Sequence, residues 1–323
     1  MSSNTDRDET IRNMQAAVQR RTLRMLGHLR ASTVAASTVA ANDSRVGVAL
    51  IGYGAIGSVV AEAIISGQAG PTKLAAVLVA RERSTRPPEL PTDCYFGTDL
   101  DGFFSAEWDI CVEAAGQPTV GAMAARCLAA ERSIVLTSIG ALADSNLLQR
   151  LERVANEANM AAIQRRSRPV QLLLCTGSLL GVDWCHAASL AGVSSVQITQ
   201  TKPPRAWKGT PAEQELDLDA LKEDTTVFEG AARDATMKYP KNANVAACFA
   251  IATAGLDDTR VRLVAAPGAK GNQTQVQFDG PAGTATVEVE GRPSPKNPRT
   301  SAVVALAVVK ALKNLTSPVF IGV

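Results

Sequence analysis

From Arg45 onward, short runs of β-branched and aliphatic residues alternate with Ala-rich stretches of helical spacing. The runs at 46–51, 74–79, 109–113 and 134–137 predict strands, and the stretches at 55–66, 119–130 and 144–159 predict helices. Such alternation predicts an α/β fold, a Rossmann-type doubly wound parallel sheet with helices on both faces. The pattern changes after about residue 176. Runs at 196–201, 261–265, 275–278 and 284–289 predict strands of a second, mixed sheet, with helices near 230–238, 242–255 and 300–313. The expected division is an extension and linker at 1–44, a dinucleotide-binding domain at 45–176, a substrate and dimerisation domain at 177–300, and a C-terminal helix at 301–323 that packs back on the first domain.

Before Arg45 the pattern differs. Ile11, Met14, Val18, Met25 and Leu29 recur at roughly helical spacing among Arg12, Arg20, Arg21, Arg24 and Arg30, which predicts an amphipathic helix followed by a small, polar linker at 31–40. Asp6, Asp8 and Glu9 argue against a transit peptide, so a partly ordered extension or subunit contact is expected.

Composition narrows the function classes. The chain has 323 residues, 46% hydrophobic and 20% charged, and 33 basic against 31 acidic residues give a net charge of +2. That balance offers no general attraction to nucleic acid or to an anionic membrane. Six cysteines without a CxxC pair, and only two histidines, His28 and His186, argue against a zinc site or a disulfide framework and favour a reducing, cytoplasmic setting. No apolar run approaches the roughly 18 to 20 residues of a membrane helix.

Residues 52–57 (GYGAIG) place GxGxxG directly between a strand and an Ala-rich helix. Gly52 permits the tight turn, Gly54 lets a pyrophosphate approach the backbone, and Gly57 allows close packing of helix on strand. Ala55 and Ile56 open the helix whose N-terminus faces the phosphate charge. The expected cofactor is NAD(H) or NADP(H). Arg81 stands where an adenosine-ribose acid is expected, and a guanidinium there can pair with a 2′-phosphate, although the adjacent Glu82 can also reach the ribose. Small residues at Ala115, Gly116 and Ser138 follow two later strands, where the cofactor's ribose and nicotinamide are expected.

Several blocks taken in order, residues 52–57 (GYGAIG), 138–142 (SIGAL), 176–183 (TGSLLGVD), 202–211 (KPPRAWKGTP), 239–247 (YPKNANVAA) and 297–301 (NPRTS), resemble the L-aspartate dehydrogenase family over about residues 45–315. The resemblance implies a Rossmann domain, a second domain forming the substrate pocket and usually the dimer interface, and NAD(P)-dependent interconversion of aspartate with oxaloacetate and ammonia through iminosuccinate. It also implies that Ser178 and Asn244 stand at cofactor-contacting positions.

The residue types support a small anionic substrate. Lys202, Arg205, Lys208, Lys241 and Arg299 are interleaved with the donors Thr210, Asn242, Asn244, Thr300 and Ser301, and two carboxylates need about that many partners. Lys202, Asn242 and Thr300 are the expected substrate contacts. The chain departs from the family most seriously at residues 266–276: Thr274, in 272–276 (NQTQV), occupies the position that the resemblance gives to a catalytic histidine, and Ala266 replaces the Asp of the Asp-Pro turn before it. A threonine hydroxyl orients a substrate or water but holds no proton near neutral pH. Lys202 is the alternative titrating group, because desolvation lowers a lysine's pKa. His186 lies one helical turn after the Ser178 loop, where it can face the pocket, although a helix surface or a satisfied core position is its more ordinary place; His28 lies in the extension.

The leading expectation is an amino-acid dehydrogenase or imine reductase that works as a homodimer. A cofactor-binding homologue that has lost catalysis and acts as a sensor or subunit is the competing class. A hydroxy-acid dehydrogenase is a third reading, equally short of a proton donor.

Overall fold

The computed structural model describes residues 44–82, 85–294 and 297–322, the side chains of 297–300 excepted, and residues 45–323 form one compact unit. The reading of the N-terminal extension, His28 included, lies outside the described residues.

The first lobe follows the expected alternation. Strand β1 (Val46–Ile51) leads into helix α1 (Ala55–Ile65), then β2 (Thr72–Leu78), β3 (Tyr95–Gly97), α2 (Leu100–Ser105), β4 (Ile110–Glu113), α3 (Gln117–Ala129), β5 (Ser133–Leu136), a 3-10 turn (Ile139–Ala143), α4 (Ser145–Gln164) and β6 (Leu172–Leu174). All neighbouring strands pair in parallel, in the order β3-β2-β1-β4-β5-β6. β1, β4 and β5 are buried along their whole length, as strands covered on both faces must be. Their carboxyl ends lie side by side, which is where an open α/β sheet binds its ligands. The expected doubly wound sheet is therefore observed. The short elements β3, α2 and β6 carry too few residues to show a period, and the sequence reading passed over them.

The second lobe holds α5 (Val182–Ser189), β7 (Ser195–Lys202), α6 (Ala212–Glu215), β8 (Thr225–Ala231), α7 (Ala232–Lys238), α8 (Asn244–Ala252), β9 (Arg260–Ala265), β10 (Asn272–Gly280) and β11 (Gly283–Gly291), with a small hairpin of β12 (Pro293–Ser294) and β13 (Asn297–Ser301). Its sheet runs β11-β10-β7-β9-β8, mixed because only β7 and β9 are parallel. One expected boundary is corrected: the helix read from residue 230 begins at Ala232, because the β-branched run at 225–227 carries strand β8 through Ala231. In β7 exposure alternates, so Val196, Ile198, Gln200 and Lys202 share the buried face.

Helix α9 (Val303–Thr316) buries Ala305, Val308, Val309 and Leu312 in the same cluster as Val60, Ala61 and Ile64 of α1. All six cysteines are buried and free. Among the described residues no helix is long and apolar enough to cross a membrane, and no three His, Cys, Asp or Glu side chains gather as a metal site.

Candidate active site

The glycine turn after β1 is built from three different demands. Gly52 has φ +99°, and a Cβ there would meet the Ala114 carbonyl oxygen at 2.7 Å, while a Cβ on Gly57 would stand 2.1 Å from the Gly52 carbonyl oxygen. The protein itself therefore requires glycine at 52 and 57. Gly54 is different: its φ is −96° and a Cβ there would touch no protein atom within 4 Å. No contact among the described residues calls for a bare backbone at this point, and a ligand's close approach does. Helix α1 begins at Ala55 with no side-chain cap and no acid in its first turn, so the partial positive charge of its N-terminus is unopposed. A Cβ-free approach and an uncapped helix end fit the pyrophosphate of a dinucleotide.

The loops after β4 and β5 are drawn together by a residue that sequence reasoning passed over. Glu113, the last residue of β4, is fully buried, and its carboxylate accepts from the backbone N–H of Ala115 (2.8 Å), Gly116 (2.7 Å) and Ser138 (3.0 Å) and from the Ser138 hydroxyl (3.0 Å). Gly116, at φ +118°, takes the turn that points its N–H inward. The available signal was an acid closing an otherwise apolar strand, 110–113 (ICVE). On the other side of the glycine turn, Tyr53, Glu82, Thr85, Arg86, Pro87, Pro88 and Glu89 line an open cavity of about 520 Å³, with the Tyr53 hydroxyl donating to Glu89 at 2.8 Å. Arg81 is exposed and is not among these lining residues.

The second lobe contributes Lys202, the last residue of β7 and only 8% exposed. Its ammonium donates to the Asn242 carbonyl oxygen at 3.2 Å and lies 5.6 Å from the centre of the Trp207 ring. Trp207 is itself fixed, packed edge-on against Tyr239 and donating from Nε1 to the Val264 carbonyl oxygen at 3.2 Å. Burial lowers the Lys202 pKa from its ordinary 10.5 to about 8, and no carboxylate among the described residues offsets it. The other expected cations are solvated: Lys208 pairs with Asp219 at 2.8 Å, and Arg205 and Lys241 are exposed. Thr300 and Arg299 lie on β13, where side chains fall outside the described set.

Thr274 on β10 is buried and stands directly across from Gln200 on β7. No hydrogen bond joins Thr274 to Lys202 among the described residues; Gln200 is their common neighbour. Asn244, at the start of α8, reaches the first lobe, where its side-chain oxygen accepts from the Gly140 N–H (2.9 Å) and from Gln117 Nε2 (3.3 Å). Arg233 adds a second tie, bonding both oxygens of Asp257 (2.6 and 2.7 Å) while also donating to the Ala143 carbonyl and to Ser145 Oγ. Ser178 is half-buried in the turn between β6 and α5. His186 is exposed on α5 with Nδ1 2.6 Å from the Ala252 carbonyl oxygen, the helix-surface placement rather than a pocket one.

Residues 183–315 match the family described as aspartate dehydrogenase, C-terminal, and residues 52–163 match the NAD binding domain of homoserine dehydrogenase. The chain is 36% identical over 275 residues to L-aspartate dehydrogenase 2 of Bordetella pertussis, covering 85% of this chain and 98% of that one. It is 41% identical over 209 residues to L-aspartate dehydrogenase of Ralstonia pickettii, covering 65% and 74% respectively. Among solved structures, aspartate dehydrogenase from Thermotoga maritima superposes with a TM-score of 0.65 at 22% identity, covering 86% of this chain and all of that one, which shows a shared fold.

Proposed function

Since the chain belongs to the L-aspartate dehydrogenase family and is thereby an NAD(P)-dependent oxidoreductase of the CH–NH₂ group, we propose that it moves a hydride between nicotinamide C4 and the amine- or imine-bearing carbon of a small dicarboxylate such as aspartate. The bound nicotinamide supplies the hydride; the chain holds, orients and handles protons. The observation that carries this reading is the buried Lys202 ammonium, which has the Asn242 carbonyl as its only hydrogen-bond acceptor among the described residues.

In this reading the glycine turn and the Glu113-braced loops hold the dinucleotide through Gly52, Gly54, Ala55, Ile56, Gly57, Ala115, Gly116 and Ser138, with Ser178 and Asn244 toward the nicotinamide. Arg81 and Glu82 compete for the adenosine ribose, so NADP(H) and NAD(H) are both accommodated. Lys202, Asn242 and Thr300 receive the substrate's carboxylates. Lys202 also serves as the acid or base: with a pKa of about 8, it exchanges a proton within reach of neutral pH, as Thr274 cannot. Oxidation of an ammonium substrate needs that base first, whereas reduction of a formed imine needs less of it, so imine reduction is the faster direction near pH 7. The homodimer belongs to the same reading, supported by the nine-residue edge strand β11, whose outer side has no partner strand among the described residues.

Steady-state rates in both directions test this. NADPH or NADH oxidation with oxaloacetate and ammonia should be measurable, L-aspartate oxidation weak, and Thr274→His should raise the latter by returning a group with a pKa of about 6.5 to that strand. Tight cofactor binding with no turnover in either direction would instead favour the sensor reading.

A further inference from the structure

Gln200 is 3% exposed, and its side-chain oxygen is buried without a hydrogen-bond partner. A buried amide left unpaired destabilises a fold unless something else meets it. Its place says what that is. Gln200 shares the inner face of β7 with Lys202, two residues along and so about 6.6 Å away at the backbone. It lies directly opposite Thr274 on β10, whose hydroxyl also makes no hydrogen bond among the described residues. Three polar side chains thus crowd one otherwise apolar face, with Val196, Ile198, Val276 and Phe278 below them. The oxygen can only accept, so its partner must bring an N–H or O–H, and because it is closed to solvent in the free protein it meets a ligand's N–H only when the amide turns out toward the face shared with Lys202 and Thr274.

We propose that Gln200 is a substrate-positioning residue whose carboxamide oxygen accepts an N–H of the substrate's amino or imino nitrogen. The inference rests on the dehydrogenase reading and deepens it: Lys202 reads charge, and Gln200 reads nitrogen. A neutral acceptor suits this place, since it binds the protonated and the neutral nitrogen alike and adds no second charge beside Lys202.

The test compares wild type with Gln200→Leu, full chain and NADH- or NADPH-bound, in calorimetric titrations with L-aspartate and with succinate, which has both carboxylates but no nitrogen. The substitution should weaken L-aspartate about tenfold and leave succinate within twofold, as loss of one hydrogen bond to a charged group does. It should also raise the Tm of the free protein by about 2 °C or more, since an unpaired buried amide has been replaced by a side chain that needs no partner. A purely structural glutamine would lower the Tm and weaken both ligands together, and that result overturns the proposal. Unchanged L-aspartate affinity with a shifted pH limb would show that Gln200 serves only Lys202, and it too overturns the proposal. Wild type that turns over oxaloacetate and ammonia while Gln200→Leu behaves identically refutes this inference alone; wild type that binds neither dicarboxylate and turns over nothing refutes the dehydrogenase reading and the inference with it.

Discussion

The glycine turn at residues 52–57 and the strand pair β7–β10 solve opposite problems. In the turn the unusual feature is missing bulk. Gly52 and Gly57 are dictated by the clashes a Cβ would make with the chain's own backbone, and within the turn Gly54 alone would meet none among the described residues. In the strand pair the unusual feature is unmet polarity: among the described residues Lys202 has one acceptor, and no donor meets the Gln200 oxygen. A dinucleotide is recognised by backbone, which needs space and a helix end. On the proposed reading, a small dicarboxylate is met by side chains, which wait unpaired at some cost in stability. Substitutions in the two regions should therefore move stability and binding in different combinations.

The sharpest break of the comparison lies within one motif. Gly54→Val should weaken NADH and NADPH by about 100-fold or more, because its side chain takes the volume of the pyrophosphate. The Tm should fall far less than the affinity, because a Cβ at that position meets no atom of the described residues within 4 Å. Calorimetric cofactor titration beside thermal unfolding reads both; unaltered cofactor affinity would remove the turn from the site. Glu113→Ala should cost about 3 to 5 kcal/mol in urea unfolding, since three inward backbone N–H groups lose their acceptor, and the cofactor should weaken with it.

Lys202→Met should act in the opposite sense on stability. Its folded pKa of about 8 lies below the ordinary 10.5, so the folded protein binds fewer protons between those values and stability rises with pH across that window. Below about pH 8 the full cost of burying the charge stands, about 3 kcal/mol, and the methionine variant should recover part of it at pH 7 while losing catalysis by about 10²-fold or more. The wild-type rate of L-aspartate oxidation should rise as pH passes 8. A variant that is less stable at pH 7, or a profile without that limb, would show that the lysine is not the titrating group. The smallest effect is expected at Arg81→Ala, about 1 to 2 kcal/mol weaker NADPH binding with NADH spared. Equal change in both would assign the ribose to Glu82.

How much of this was readable in advance follows from the same contrast. The doubly wound sheet and the glycine turn are local: a strand, three spaced glycines and an Ala-rich helix lie within twenty residues at 46–65, and each glycine's duty follows from chain geometry. Lys202 could be singled out as a lysine at a strand end. Gln200 could not, because its meaning depends on two facts that only pairing supplies: which face of β7 is buried, and that Thr274 lies across from it. Its position on the Val196 and Ile198 side of an alternating strand was the signal that could have raised it. Glu113 was hidden for a related reason, since the three N–H groups it satisfies come from two loops brought together by parallel pairing. Strand β8 was missed because its run of β-branched residues adjoins a helix with no break between them.

The six buried thiols give the molecule an internal clock. Burial pushes Cys94 up to about 11 and Cys248 up to about 12, and raises Cys111, Cys175 and Cys185 as well. Near neutral pH almost none of these five sulfurs is thiolate, and only thiolate reacts. Alkylation must then wait for the surrounding structure to open, so each cysteine's labelling rate reports the opening free energy of its own neighbourhood. Cys94 and Cys111 report on the nucleotide lobe, and Cys185 and Cys248 on the lobe that carries Lys202. Whether a cofactor slows labelling in the first lobe alone or in both measures how far one lobe feels what the other holds.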